Sequence, residues 1–132
     1  MPFNRKAFKD FIRNKLDTEE RMRKMEDARV VLAQGIFEIG DWNMDLIDSV
    51  QVSHGLSDFK KIRHMSAIIR DDSDSPYYSL EGSDQTGAAG GIIYVSGANI
   101  TLERVAGGKF DGANFNATSY NRGWVMIWYS AT

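Results

Sequence analysis

The sequence predicts an N-terminal α-helical arm followed by an all-β antiparallel sandwich of jelly-roll-like rhythm. Three observations predict it. Residues 1–34 contain one proline, Pro2, and no glycine, with nine Lys/Arg and six Asp/Glu. Residues 35–132 contain all 12 glycines and all three tryptophans. Beyond Gly35 the apolar residues recur with period two, in short runs parted by Gly, Asn, Asp and Ser. Strands do not alternate with helices, which argues against a parallel α/β fold. The expected organisation is an arm over 1–34, for attachment or oligomerisation, and a β-sandwich domain over 35–132.

In the arm, Asn4 is placed to cap a helix, with Phe8, Phe11, Ile12 and Leu16 at helical spacing behind it. Asp17 followed by Glu20 has capping-box spacing, so a break and restart is expected near Asp17. Met22, Met25 and Leu32 continue the stripe, and Gly35 sits where a left-handed residue would end the helix. In heptad register, positions 11, 15, 18, 22, 25, 29 and 32 read Phe, Lys, Thr, Met, Met, Arg, Leu. That is too polar for a self-sufficient coiled coil. A lone helix of this length gains little in water without packing, so the arm is expected to dock on a partner or form a marginal coiled coil.

The strands follow in order. A first is expected over 36–41. A second, over 49–54, sets Val50 and Val52 on one face. His54 to Asp58 reads as a turn. A longer strand over 61–70 points Met65, Ala67 and Ile69 inward. Asp71 to Pro76 is a polar loop, 77–80 a short strand, and 81–91 a Gly- and Ala-rich loop. Residues 92–95 and 100–105 form a hairpin about Ser96-Gly97-Ala98-Asn99. Residues 106–122 are a long loop anchored by Phe110, Phe115 and Tyr120. The closing strand, 124–129, sets Trp124 and Trp128 on one face and Val125, Ile127 and Tyr129 on the other. A strand apolar on both faces is buried on both or meets another subunit.

Composition and motifs exclude most chemistry. Net charge is −2, divided as +3 over 1–34 and −5 over 35–132. The acids interleaved with the basic arm residues read as a solvated helix face, not a nucleic-acid contact. Without cysteine there is neither a disulfide framework nor a thiolate metal site. The opening MPFNRKAFKDF lacks the apolar run of a secretory signal, and no run is long enough for membrane insertion. His54 and His64 lack the spacing of a zinc pair. Asp71, Asp72 and Asp74 lack the Gly and the later Glu of a calcium loop and read as a solvated turn. The Gly-rich segments match no phosphate-binding loop, and no serine sits in a nucleophile elbow. No catalytic residue, cofactor or metal is expected, and the chain reads as a non-enzyme. Tyr77, Tyr78 and Tyr120, with neighbouring Asn and Asp, have the composition of a carbohydrate-contacting surface.

Four blocks carry a family resemblance: Ile39-Gly40-Asp41-Trp42-Asn43-Met44-Asp45; Val52-Ser53-His54-Gly55-Leu56; residues 60–72; and Phe110-Asp111 through Ser119-Tyr120-Asn121-Arg122-Gly123-Trp124-Val125-Met126-Ile127-Trp128-Tyr129. Over most of 39–129 the chain resembles a domain of tailed-bacteriophage virion proteins, especially those of crAss-like phages and relatives infecting Bacteroidetes. The last strand is also similar in rhythm to small trimeric lectin-like fibre-tip domains. The resemblance implies a head-fibre, tail-fibre or capsid decoration protein located on the virion, usually a homotrimer. Its arm would attach to the capsid or another virion protein, and its displayed domain could meet host cell-surface glycan. On that expectation Phe8, Phe11, Ile12, Met22, Met25, Leu32, Trp124 and Trp128 serve oligomerisation or attachment. Tyr77, Tyr78 and Tyr120 face a ligand.

Overall fold

A computed structural model describes residues 4–28, 31–83 and 86–132, without the side chains of 22–28. One α-helix, α1 (Arg5–Ala28), precedes seven strands: β1 (Leu32–Glu38), β2 (Ser49–Ser53), β3 (Ile62–Arg70), β4 (Tyr77–Ser79), β5 (Gly91–Ser96), β6 (Asn99–Arg104) and β7 (Gly123–Ser130). The strands form a two-sheet antiparallel sandwich, with β1-β7-β3-β4 in one sheet and β2-β6-β5 in the other. The chain divides into two compact units, with the sandwich filling Leu32–Ala131.

Asn4 caps α1 as expected, its Oδ1 accepting from the Ala7 amide at 3.1 Å. The expected break at Asp17 does not occur; the helix is continuous from Arg5 to Ala28. No Gly or Pro interrupts it, and the Thr18 hydroxyl donates back to the Asn14 carbonyl at 3.0 Å.

Gly35 does not end the helix. It lies in the middle of β1, opposite Ile127 of β7, so the helix-to-strand boundary falls between Ala28 and Leu32. Seven consecutive pairs, from Leu32–Ser130 to Glu38–Trp124, hold β1 on β7. A ready partner strand outweighs the helical propensity of Leu-Ala-Gln. The glycine has a packing reason instead: a Cβ at Gly35 would stand 3.0 Å from the Phe37 ring and 3.2 Å from Ile127 Cγ1. The expected strand over 36–41 is therefore displaced toward the N-terminus, and Asp41 retains only a bridge to Asn121.

The core lies between the sheets. Ala67 and Ile69 of β3, Val125 and Ile127 of β7, Val52 of β2, and Ile100 and Leu102 of β6 meet there with Trp42, Met44, Leu80, Phe110 and Phe115. Trp42 is almost fully buried and donates its ring N–H to the Ile47 carbonyl at 2.9 Å, which satisfies its one polar atom. Phe110, Phe115 and Tyr78 pack edge-on in a three-ring cluster with centroids 5.1–6.0 Å apart. The long loop after β6 is thus anchored by its own aromatics, as the sequence suggested for Phe110 and Phe115.

Candidate functional site

The outward face of the β1-β7-β3-β4 sheet is the least ordinary surface of the sandwich. Alternation sends Val125 and Ile127 inward and leaves Trp124, Met126 and Trp128 outward. Cross-strand pairing then sets Ile36 beside Met126, and Trp128 between Gln34 and His64. Ile36 is 59% exposed, Leu32 48% and Trp128 40%. Leu32, expected on the helix, therefore stands on this sheet. Antiparallel sheets with one solvated face usually alternate apolar-in and polar-out. This one carries a large apolar row on both faces. The second sheet turns Ser49, Gln51 and Ser53 of β2 to solvent, and its exposed apolar side chains are Ile92 and Tyr94 of β5, at the sheet edge.

At the β3–β4 end of the same face the row becomes mixed. Arg70 pairs across to Tyr77, and Trp124 pairs to Ile68. The Arg70 guanidinium lies 4.1 Å from the Tyr120 ring centroid and 5.6 Å from that of Trp124. Tyr77 and Trp124 have centroids 5.9 Å apart at a 37° tilt. Asp74 ties the group together: its Oδ1 accepts from the Tyr77 hydroxyl at 2.8 Å and from Arg70 Nη1 at 3.1 Å. Arg70 Nε donates to the Asn121 carbonyl at 2.7 Å, and the Tyr120 hydroxyl to the Asp71 carbonyl at 2.6 Å. The Tyr77 hydrogen bond, then that of Arg70, holds the Asp74 carboxyl below the usual carboxylate range. The same bond holds the Tyr77 phenol above its ordinary value. Burial works against the charge on Arg70, but the Asp74 hydrogen bond and the electrostatic attraction of Tyr120, Asp74 and Tyr77 together outweigh it and shift the guanidinium upward.

Of the three tyrosines expected to share a ligand surface, only two meet. Tyr77 and Tyr120 come together through Arg70 and Trp124. Tyr78 points the other way, into the ring cluster with Phe110 and Phe115, with Lys109 Nζ 5.3 Å from its ring centroid. Adjacent strand residues face opposite sides of a sheet, so Tyr77 and Tyr78 cannot both belong to one surface. Trp124, expected beside Trp128 at an oligomer contact, stands with Tyr77 and Arg70. Arg70 was not expected here, and Asp74 was expected only as part of a solvated turn. Their signal was the spacing from a strand-end Arg to an Asx turn and an exposed Tyr, which needs the fold of the loop to be read.

Arg122 fixes the loops around this cluster. It is fully buried, donating to the Trp42 carbonyl (2.9 Å), the Arg70 carbonyl (3.0 Å), the Ala117 carbonyl (3.3 Å) and Asp72 Oδ1 (2.9 Å). Asp72 also accepts from the amides of Asn116 and Ala117 at 3.1 Å. One ion pair thus joins the 71–76 loop to the 106–122 loop. In the same acidic loop, burial pushes the Asp71 carboxyl up. Hydrogen bonds from Ser75 and Ser73 outweigh this and leave it lowered. Asp71 and Asp72 therefore act as structural acceptors. A second buried arginine, Arg104, donates to the Met44 carbonyl and pairs with Asp48 at 3.0 Å. Its Nη1 lies 3.5 Å from Asp111 Oδ2, a charge contact without hydrogen-bond geometry.

In the helical unit, Phe8, Phe11, Ile12 and Leu16 are all substantially exposed along one stripe. Lys9 and Arg13 flank it on one side, Arg5 and Lys15 fall within its sector, and Asp10 falls on the far face at 100° per residue. The side chains of Met22 and Met25 lie outside the described residues. His54 is buried, with Nε2 at 2.6 Å from the Gly97 carbonyl and Nδ1 accepting from the Leu56 amide at 3.0 Å. Both ring nitrogens are occupied in shaping the turn, and the acceptor role of Nδ1 assigns the proton to Nε2. His64 is exposed on the outer sheet face. Among the described residues no group of three or more His, Asp or Glu side chains is placed to hold a metal ion. Comparison of the chain with family models, curated proteins and solved structures returns no match.

Proposed function

We propose that the chain is a structural protein of a tailed-phage virion: a homotrimeric head fibre or capsid decoration protein. Its helical arm attaches to the capsid or another virion protein, and its sandwich is displayed toward host-surface glycans. The observation that carries this reading is the exposed apolar row Leu32, Ile36 and Trp128 on the outer sheet face, with half-buried Met126 beside Ile36. Apolar patches of this kind mark interaction surfaces on soluble proteins, and a closed symmetric oligomer covers the same patch on every copy. Covering each such half-exposed side chain is worth on the order of 1 kcal/mol, which contributes to association against the loss of translational and rotational freedom. The exposed stripe of α1 supports an attachment role, since its anchors repeat at the spacing a helix presents to a groove. The resemblance of 39–129 to virion proteins supplies the location. No helix among the described residues is long and apolar enough to cross a membrane.

A tail-fibre or receptor-binding tip would use the same surfaces. A free carbohydrate-binding module is favoured by one feature, the Tyr77–Trp124–Arg70–Tyr120 cluster, and it predicts a monomer. Light scattering on the full chain separates the two. The trimer has a mass of about 45 kDa, three times the 14.9 kDa chain. A single-chain mass at micromolar concentration overturns the trimeric reading.

A further inference from the structure

We propose that Tyr77, Trp124 and Asp74 form a subsite for one neutral hexopyranoside. The inference rests on the sandwich being a displayed binding head and names where and what it binds. Tyr77 is 50% exposed, and its ring is fixed rather than free. Trp124 packs against it at 5.9 Å, and its hydroxyl is held by Asp74 at 2.8 Å. A pyranose presents an apolar C–H face that an aromatic ring covers, and a ring already immobilised loses little entropy on covering it. Tyr77 supplies the apolar surface.

Asp74 supplies the polar contact. Its side chain is 52% exposed, and its two intramolecular hydrogen bonds both use Oδ1. Oδ2 receives no donor among the described residues, and Oδ1 of the same carboxylate is held by the Tyr77 hydroxyl. A charged carboxylate oxygen accepts hydroxyl hydrogen bonds more strongly than a neutral acceptor. Vicinal hydroxyls at the rim of a stacked sugar are the donors that match it.

The charges select a neutral sugar. Asp71, Asp72 and Asp74 crowd one loop, so a carboxylated sugar meets repulsion there. The nearest cation, Arg70, is largely engaged within the cluster. Arg70 spends Nη1 on Asp74 and Nε on the Asn121 carbonyl, and its planar face lies on Tyr120.

The test is an NMR titration of the full-length chain with methyl glucoside, methyl galactoside, methyl mannoside and N-acetylneuraminic acid. At least one neutral glycoside is expected to shift the Trp124 indole and Tyr77 resonances saturably, at millimolar affinity as suits one sugar on an open surface. Tyr77→Ala and Asp74→Ala weaken binding at least tenfold. Tyr77→Phe, which keeps the ring, retains more of it than Tyr77→Ala does. Preserved chemical-shift dispersion shows that each variant folds. No saturable shift with any neutral glycoside, preference for the acidic sugar, or undiminished binding by Tyr77→Ala overturns the proposal. Any of these leaves the mass of the assembly unchanged, so failure here is distinguishable from failure of the trimeric reading.

Discussion

Removing the carboxylate that faces Arg122 is expected to unfasten the loops at the end of the sandwich that carries the Tyr77, Trp124, Arg70 and Tyr120 cluster. In Asp72→Ala the guanidinium remains fully buried but loses the carboxylate it pairs with at 2.9 Å. The amides of Asn116 and Ala117 lose their acceptor at the same time. Stranding one member of a buried ion pair costs roughly 3–5 kcal/mol. Two features lower the figure here. Asp72 is 26% exposed, and Arg122 keeps three backbone carbonyl acceptors. About 3 kcal/mol is therefore expected, which is roughly 12–24 °C in Tm for a unit of this size. In urea at a fixed protein concentration, with tryptophan fluorescence as the probe, the midpoint should fall by roughly 2 M with the slope unchanged. The double variant Asp72→Ala, Arg122→Met should recover part of the loss, because no unpaired charge is then buried. A loss under about 1 kcal/mol for Asp72→Ala would show that the carbonyls alone satisfy Arg122, refuting the view that this pair clasps the loops.

Three further outcomes follow from the same contacts. Replacing Asp74 by Asn should return the Tyr77 phenol downward toward its ordinary value, measured by ultraviolet titration, since the Asp74 hydrogen bond is the chief cause of its elevation. The Asp71 and Asp74 carboxyls lie lower in the folded than in the unfolded chain, so the folded state binds fewer protons in acid. Their stabilisation is fully present above the unfolded carboxyl value near 4 and is lost as pH falls through the lower folded values, which acid melts of wild type against Asp71→Asn will register. Gly35→Val should destabilise the sandwich by about 1–3 kcal/mol in a urea melt, because the added carbons meet the Phe37 ring and Ile127.

The sandwich was legible in the sequence because its strands obey period two. Val50 and Val52, then Ala67 and Ile69, then Val125 and Ile127 all fall on the inward face that alternation assigns them. The start of the sandwich was not legible. Gly35 reads locally as a helix terminator, and only the pairing of β1 with β7, more than 90 residues away in sequence, makes it a strand residue packed under Phe37. The Tyr77, Trp124, Arg70 and Tyr120 cluster was half legible. Tyr77 and Tyr120 carry an obvious composition, and period two alone separates Tyr77 from Tyr78. Arg70 and Asp74 join the cluster through the shape of the 71–76 loop, which no periodicity describes. The burial of Arg122 was equally hidden, because an arginine beside Asn and Gly reads as surface until its four acceptors are assembled around it.

The account turns on the outer sheet face being covered by other copies of the chain. Its most direct test is the solution mass of the full-length protein measured beside Ile36→Glu and Trp128→Glu. Both residues are exposed in the single chain, so neither charge is buried by folding and both variants should keep the wild-type circular dichroism. The account predicts a wild-type mass near three chains and a single-chain mass for each variant. A wild-type monomer, or an assembly that survives both substitutions, would contradict it.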